Sequence, residues 1–266
     1  MNKSKCPIGI FDSGIGGLTV LKEVSSLLPR EDIIYLGDTA RVPYGVRSPE
    51  TVKRYFFECA EFLLKQDIKL LVVACNTVSA ICMQDIAGRI SISVVGVIEP
   101  GARAAVSATK NKKVGIIGTE ATIKSSAYSR AINSIAADIE VYSLACPLFV
   151  PLVEEGWTEG VIARMVVERY LTGIKLTGAD TLVLGCTHYP LLKGTIQDVW
   201  GHVFLVDSAV ETALAVKQLL VDKGLETSDE RAGAKKFFVT DSPEKFLSVG
   251  ESFLRTKIAN IEKIQL

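Results

Sequence analysis

The sequence is poor in histidine and has no excess of charge of either sign. Only two of its 266 residues are histidines, and 30 basic residues balance 30 acidic ones. No stretch concentrates Lys or Arg strongly enough to neutralise a nucleic-acid backbone or an anionic membrane surface. We therefore expect neither a nucleic-acid nor a membrane partner.

Long apolar runs are also missing. No run reaches the roughly 18 apolar residues that a membrane-spanning helix needs. The apolar residues after Lys5 meet Asp12 and a glycine cluster before the core of a signal peptide is complete. These features predict a cytoplasmic protein.

The six cysteines form no C-x-x-C pair, and 48% of the residues are apolar, which is enough for a core without a disulfide scaffold. We expect free thiols. The two histidines, His188 and His202, share no ligand spacing with a cysteine cluster, so we expect no metal site.

Short runs of Val, Ile and Leu alternate with longer segments of helical period. This pattern is typical of parallel strands joined by crossover helices and predicts an α/β fold. A helix is predicted over residues 49–65, where apolar side chains recur at intervals of three and four. The predicted strands cover residues 8–11, 33–36, 70–74, 94–97, 114–117, 139–143, 181–184, 203–206 and 237–239.

The second half of the chain repeats the plan of the first. Residues 8–13 match residues 114–119 at an offset of 106, and the runs that end at Cys75 and Cys186 match at an offset of 111. Two correspondences in the same order predict an internal duplication. We expect two similar doubly wound parallel-sheet domains, the first formed by residues 1–97 plus 208–266 and the second by residues 98–207.

Several polar residues follow predicted strands, at the edge where open α/β sheets bind their ligands. Cys75 and Cys186 lie there, as do Asp12, Ser13 and Thr119. The active site is therefore predicted in the cleft between the two domains.

A glycine-rich turn, residues 12–19, follows the first predicted strand. Nucleotide phosphate is disfavoured because Thr19 stands where the dinucleotide fingerprint has its third glycine, and the Lys-Ser/Thr ending of a P-loop is absent. Two interpretations stay open. The glycines allow a tight strand-to-helix turn, or the turn binds a carboxylate ligand while Asp12 faces an amino group or a thiol.

Two of the cysteines differ from the rest in their C-terminal neighbours. Cys6, Cys59, Cys82 and Cys146 are interpreted as small buried apolar residues. Small polar residues come directly after Cys75 and Cys186, and such groups hold a carboxylate and stabilise a thiolate. Two thiols placed by similar scaffolds suit a racemase, which needs one acid-base group on each face of its substrate.

Four motifs, at residues 11–20, 43–45, 74–77 and 185–190, together resemble the cofactor-independent aspartate/glutamate racemase family over about residues 8–208. The resemblance implies an isomerase that interconverts L-glutamate and D-glutamate by α-proton abstraction and reprotonation between two cysteines. It also implies no cofactor, a homodimer, and supply of D-glutamate for peptidoglycan synthesis. The residues after the second cysteine favour glutamate over aspartate.

The resemblance assigns roles to individual residues. Cys75 acts on D-glutamate with help from Asp12, and Cys186 acts on L-glutamate with help from His188, which Glu154 supports. The substrate-binding residues it implies are Asp12, Ser13, Pro43, Tyr44, Gly45, Asn76, Thr77, Thr119, Thr122, Thr187 and His188.

Three alternatives stay open at this stage: an aspartate racemase, a non-catalytic two-lobed amino-acid-binding protein and a thiol redox sensor. A free cysteine has a pKa of about 8.5, so in a racemase one thiol must be a thiolate while its partner stays protonated. We expect a bell-shaped pH profile of catalysis for that reason.

Overall fold

The apolar runs of the sequence form parallel strands in two sheets. The computed structural model describes residues 3–86 and 88–266. The strands are β1 Ile8–Asp12, β2 Ile33–Gly37, β3 Leu70–Val73, β4 Ser93–Gly96, β5 Lys113–Gly118, β6 Glu140–Ala145, β7 Thr181–Gly185, β8 Phe204–Asp207, β9 Lys235–Val239 and β10 Ile261–Lys263.

The first sheet has the strand order β10-β9-β2-β1-β3-β4 and the second the order β6-β5-β7-β8. Every neighbouring pair is parallel. The central strands β1, β3 and β7 are buried along their whole length, which is why they are continuous apolar runs. The predicted α/β class with two parallel sheets is confirmed.

Helices connect the strands and cover both faces of the sheets. They are α1 Leu18–Leu27, α2 Pro49–Leu64, α3 Asn76–Cys82, α4 Ile98–Ala108, α5 Glu120–Lys124, α6 Ala127–Ile135, α7 Phe149–Glu154, α8 Gly160–Lys175, α9 Lys193–Val199, α10 Ser208–Lys223 and α11 Pro243–Leu254.

Helix α2 illustrates how local sequence produces these elements. The side chain of Ser48 accepts a hydrogen bond from the backbone N–H of Thr51 and caps the helix, and Pro49 occupies the first turn, where its missing N–H costs nothing. One face then buries Val52, Phe56 and further apolar residues against the first sheet. The helix predicted over residues 49–65 is present and ends one residue earlier.

Each of the predicted strands is present, with ends shifted by one or two residues. Strand β10 was not predicted. Its three residues include only one apolar side chain, Ile261, and none of the three is buried. A strand this short at the edge of a sheet has no apolar alternation by which a sequence can reveal it.

We propose that residues 1–97 plus 208–266 form the first domain and residues 98–207 the second. The sheets support this division, since β1 to β4 share one sheet with β9 and β10 while β5 to β8 form the other. Helix α4, which opens the second segment, contributes Ile98 and Ala102 to one core with Val114 and Val183. Helix α10 returns to contact α1.

A buried ion pair joins the return segment to the first sheet. Lys69 is fully buried and pairs with Glu31, whose side chain is 4% exposed. The Lys69 ammonium also donates to the carbonyls of Ser4, at 2.7 Å, and Leu225, at 2.9 Å. The second carboxylate oxygen of Glu31 accepts the N–H of Thr227 at 2.8 Å. This cluster ties the chain after α10 to the sheet.

Replacing Lys69 with methionine is expected to lower the free energy of unfolding by about 3–5 kcal/mol, because the Glu31 carboxylate is left buried without its cation. Urea denaturation of wild type and variant measures the difference. The control is Lys65→Met. Lys65 directly follows α2, and its ion pair with Glu61 is largely exposed, so it contributes little to the free energy of unfolding. An equally small effect in both variants contradicts the role of the cluster.

Within the part of the chain that the structure describes, no helix combines the length and apolar character needed to cross a membrane.

Candidate active site

A small cavity of about 60 Å³ lies between the two sheets, at the carboxyl ends of their strands. Both Cys75, which follows β3, and Cys186, which follows β7, line it. Two larger grooves, of about 530 and 520 Å³, contain neither cysteine in their lining. The small cavity is therefore the candidate site for thiol chemistry. Its lining residues are Ser13, Gly14, Ile15, Val42, Pro43, Tyr44, Gly45, Cys75, Asn76, Thr77, Thr119, Val150, Glu154, Cys186, Thr187 and His188.

The first thiol lies at the start of α3, where Cys75 is 5% exposed. Its S–H donates to the Ser13 hydroxyl, with the sulfur 3.4 Å from that oxygen. Burial raises the pKa of Cys75 to about 12, and the charge of Asp12 acts in the same direction. Cys75 is therefore a protonated thiol at neutral pH.

Asp12 lies beneath the cavity and is not part of its lining. It is 1% exposed, and its Oδ2 accepts the N–H of Gly14 at 2.9 Å. Its Oδ1 has no hydrogen-bond partner among the residues described. Burial raises the pKa of the Asp12 carboxyl, while the charge of His188 opposes the shift. The carboxylate therefore influences the site by its charge.

The second thiol belongs to a three-residue chain of polar contacts. The sulfur of Cys186 is 3.8 Å from His188 Nδ1, and His188 Nε2 is 3.2 Å from Glu154 Oε1. Burial lowers the pKa of His188, but the hydrogen bonds to Cys186 and Glu154 outweigh it and raise the pKa to about 10. The hydrogen bond from His188 lowers the pKa of Glu154. His188 is therefore protonated at neutral pH, and its imidazolium lies between the Cys186 sulfur and the Glu154 carboxylate.

Glu154 is the last residue of α7, and the neighbouring Glu155 is exposed to solvent. The ammonium of Lys245, from α11, lies 3.7 Å from Glu154 Oε2. The ring of Phe253, also from α11, meets the His188 ring edge to face, with centroids 5.9 Å apart. The C-terminal helix thus covers the pair formed by His188 and Glu154.

Three threonine hydroxyls link the two sheets beside the cavity. Thr77 Oγ1 lies 2.9 Å from Thr119 Oγ1, which lies 2.9 Å from Thr122 Oγ1. Thr119 also caps α5 by accepting the N–H of Thr122. Thr77 and Thr119 line the cavity, whereas Thr122 stands behind them and holds Thr119 in place.

Tyr44 lines the cavity without presenting its hydroxyl to it. The side chain is 1% exposed, and its hydroxyl donates to the buried carboxylate of Asp38. Arg41 Nε and the Thr240 hydroxyl donate to the same carboxylate at 2.6 and 2.8 Å. Asp38 therefore holds the loop that carries residues 43–45 in place. The hydroxyl of Tyr44 donates its hydrogen to Asp38 and is not available to donate it to a ligand in the cavity.

The glycine-rich turn needs glycine because other backbone and side-chain atoms lie very close to it, and not because its backbone angles are unusual. A Cβ built on Gly16 lies 2.2 Å from Thr187 Oγ1 and 2.5 Å from His188 Nδ1, so only glycine lets the turn reach the second domain. The hydroxyl oxygen of Thr19 lies 2.9 Å from the carbonyl oxygen of Gly16 and 3.0 Å from that of Thr187, so its one hydrogen is shared between the turn and the loop after β7. Helix α1 begins at Leu18, directly after Gly17, and Thr19 lies in its first turn.

The residues to which the family resemblance assigned roles lie around one cavity. All of them line it except Asp12 and Thr122, which lie directly behind the lining. The sequence did not indicate Asp38, Lys245 or Phe253. Asp38 had a signal, since it follows β2 at the carboxyl edge. Lys245 and Phe253 had none, because they come from the C-terminal helix α11, which carries no motif.

Among the described residues, no group of three or more His, Cys, Asp and Glu side chains has an arrangement that could hold a metal ion. The described lining contains no Lys or Arg, so the donors it presents besides His188 and the two thiols are hydroxyls, the Asn76 amide and backbone N–H groups.

The two parallel sheets and the thiol in each half of the cleft define a two-domain α/β protein of the amino-acid racemase class. The chain matches the sequence profile described as Asp/Glu/Hydantoin racemase over residues 8–216. It therefore belongs to the Asp/Glu/Hydantoin racemase family.

Individual relatives are similar over nearly the whole chain. A glutamate racemase from Geobacter metallireducens is 55% identical over 260 residues, which cover 97% of this chain and 96% of the relative. The crystal structure of the Francisella tularensis glutamate racemase in complex with D-glutamate has a TM-score of 0.93 at 41% identity and covers 98% of each chain. A Bacillus anthracis glutamate racemase has a TM-score of 0.96 at 40% identity, covering 99% of this chain and 98% of that one.

Proposed function

We propose that the protein is a glutamate racemase that interconverts L-glutamate and D-glutamate through its two cysteines without a cofactor. The observation that carries the proposal is that Cys75 and Cys186, supplied by different sheets, line one small cavity. Two thiols in one enclosed site can exchange protons with opposite faces of a single α-carbon. The similarity to glutamate racemases at up to 55% identity favours glutamate over aspartate as substrate.

We assign the two thiols different roles in the first half of the cycle. The pKa of Cys75, raised to about 12, keeps that thiol protonated, so it is the proton donor. Cys186 is the proton acceptor, and the protonated ring of His188 lies 3.8 Å from its sulfur. In this state the enzyme is set to act on L-glutamate. The Cys186 thiolate takes the α-proton, the Cys75 thiol gives its proton to the opposite face, and D-glutamate leaves.

After that turnover Cys75 is the thiolate and Cys186 the thiol, which is the state that acts on D-glutamate. Burial, together with the charge of Asp12, raises the pKa of Cys75 and so makes its thiolate a strong base. Solvent exchange or the reverse reaction restores the first state. Asp12 and His188 thus place a carboxylate near one thiol and an imidazolium beside the other, and we propose that this difference sets the two roles of a two-base racemase.

The α-proton of an amino acid is far less acidic than a thiol, so the site must stabilise the carbanion that forms. Fixed donors around the α-carboxylate supply this stabilisation when the site is closed to water. Asn76, Thr77 and Thr187 line the cavity and are 2%, 2% and 5% exposed, so their donors are largely shielded from solvent. We assign the substrate-binding role to them and to Ser13, Pro43, Gly45, Thr119 and His188, with Tyr44 contributing through its backbone and Thr122 through Thr119.

Racemisation in D₂O tests this function. The protein is expected to incorporate deuterium at the α-carbon of L-glutamate while the optical rotation falls to zero. Binding of glutamate without exchange means a non-catalytic binding protein. Faster turnover of aspartate than of glutamate means an aspartate racemase.

The pH dependence of catalysis should report the pair formed by His188 and Glu154. We expect the alkaline limb of kcat/KM for L-glutamate to fall near pH 10, where His188 loses its proton. In Glu154→Gln the limb should move to lower pH by about one unit, because one hydrogen bond to a charged group is lost. The control is Glu155→Gln, which alters an exposed neighbour. An unchanged limb in Glu154→Gln, or the same shift in both variants, rules out the pairing.

The same pair links pH to stability. The folded-state pKa of His188, about 10, exceeds its ordinary value of 6.5. Its contribution to stability is therefore complete below pH 6.5 and is lost as the pH rises towards 10. The pKa of Glu154 is lowered instead, so its contribution is lost as the pH falls below the ordinary carboxyl range.

Supply of D-glutamate for peptidoglycan synthesis is the physiological role we propose. A homodimer belongs to the same proposal and rests on the family resemblance, and a cytoplasmic location rests on the short apolar runs of the sequence.

A further inference from the structure

Asn76 is oriented by a residue from the other side of the cleft. It lies in the first turn of α3, is 2% exposed and lines the cavity. Its Oδ1 accepts a hydrogen bond from the hydroxyl of Tyr128 at 2.7 Å. Its Nδ2 is buried and has no hydrogen-bond partner among the residues described. Buried amide nitrogens are nearly always hydrogen-bonded, so an unpartnered one beside a ligand cavity indicates a donor to a bound ligand.

Tyr128 is itself held firmly. It lies in α6, which packs on the second sheet, and is 2% exposed. The ring packs against two glycines, since a Cβ on Gly185 would lie 3.1 Å from its Cε2 and a Cβ on Gly101 3.2 Å from its Cε1. Burial raises the pKa of Tyr128, and a hydrogen bond with Ser208 opposes this shift. The phenol therefore keeps its hydrogen and can donate it to Asn76.

The direction of this hydrogen bond matters because an asparagine amide can turn by 180° and exchange its carbonyl for its NH₂ group. With the carbonyl facing the cavity, the amide repels a carboxylate. With the NH₂ group facing it, the amide donates to the carboxylate. A fixed phenol hydroxyl that donates to the carbonyl selects the second orientation.

We propose that Tyr128 is a positioning residue that holds the Asn76 amide with its NH₂ group towards a carboxylate of glutamate. This inference rests on the proposed function, since it names glutamate as the ligand. It also links the two halves of the molecule, because a residue from the second domain prepares a substrate donor in the first. The amide is then already oriented before glutamate binds, and binding does not have to select its orientation.

The test is a double-mutant cycle with D-glutamate as the ligand. The dissociation constant is measured by calorimetry, and KM and kcat by racemisation. Tyr128→Phe keeps the ring and removes the hydroxyl, so we expect about a tenfold increase in Kd and KM, the effect of losing one well-placed hydrogen bond, with a smaller change in kcat. Asn76→Ala should weaken binding at least as much. Adding Tyr128→Phe to Asn76→Ala should then cause no further loss.

Tyr189→Phe is the matched control. Tyr189 is fully buried, and its hydroxyl donates to the carbonyl of Cys146 at 2.8 Å rather than to a cavity residue. The control variant should lose thermal stability comparably to Tyr128→Phe and keep the wild-type Kd. Melting temperatures of all variants separate a general loss of structure from a specific loss of binding.

Three results overturn the inference. They are an unchanged Kd in Tyr128→Phe, a weakening by Tyr128→Phe that persists in full in the Asn76→Ala background, and an equal weakening in Tyr189→Phe. The calorimetric arm does not need turnover. If the wild-type protein binds D-glutamate without racemising it, the proposed function fails while the cycle still decides the role of Tyr128. If it binds no glutamate, both fail.

Discussion

Cys75→Ala and Cys186→Ala are each expected to reduce racemisation by about 10⁴-fold, the upper end of what a positioned general acid or base contributes. Each substitution leaves one face of the α-carbon without a group that can take or give a proton. Inversion needs both faces, so neither remaining thiol can compensate. Both variants should fold, because Cys→Ala removes only one sulfur atom and each cysteine lies just beyond the end of a strand.

Binding and exchange distinguish this loss from a general defect. Both variants should still bind glutamate, because the proposed carboxylate donors are hydroxyls and amides rather than the thiols. Any residual α-deuterium incorporation should be confined to one enantiomer. Cys75→Ala retains the thiol assigned to L-glutamate, and Cys186→Ala retains the one assigned to D-glutamate.

Cys82→Ala is the appropriate control. Cys82 is a fully buried thiol at the end of α3, the helix that Cys75 opens, and it does not line the cavity. Its loss should cost stability and leave turnover essentially unchanged. Near-native turnover in either active-site variant means that two-thiol catalysis is wrong for this protein.

Gly16→Ala is expected to reduce kcat/KM by roughly 100-fold, the effect of displacing a reacting group by about 1 Å. The added Cβ would lie 2.2 Å from Thr187 Oγ1 and 2.5 Å from His188 Nδ1. At these distances the loop after β7 must move away. His188 then no longer holds its position beside Cys186, and the cleft opens to water.

Gly173→Ala provides the comparison. Gly173 lies within α8, and a Cβ there meets nothing within 4 Å. Alanine should stabilise this helix by about 0.5–1 kcal/mol and leave turnover unchanged. Steady-state kinetics and thermal denaturation of both variants check the prediction. Wild-type kcat/KM in Gly16→Ala would show that the close approach of the two domains is not needed for catalysis.

Much of the architecture was predictable because it follows from local pattern. Parallel strands that are buried on both faces are apolar throughout, so the runs of Val, Ile and Leu marked nine strands to within one or two residues. The short strand β10 escaped because it carries a single apolar side chain. The two cysteines stood out because each follows such a run and precedes polar residues.

Contacts between distant segments were not predictable in the same way. Glu154 came from a family resemblance, and only the coordinates show its carboxylate 3.2 Å from His188 Nε2 while Glu155 faces solvent. Tyr44 lines the cavity as expected of a substrate-binding residue, and only the coordinates show that its hydroxyl donates to Asp38. The partnership of Tyr128 and Asn76 joins residues 52 positions apart and leaves no trace in the pattern around either one.

The sequence by itself determined the α/β class, the duplicated plan and the two thiols at strand ends, because strand burial and chain repetition are properties of neighbouring residues. Only the tertiary structure decided that both thiols share one cavity, that His188 lies beside Cys186 while Asp12 raises the pKa of Cys75, and that a side chain at position 16 would collide with Thr187 and His188. Those features depend on distances between segments that the sheets and helices bring together, and such distances are set by packing over the whole molecule.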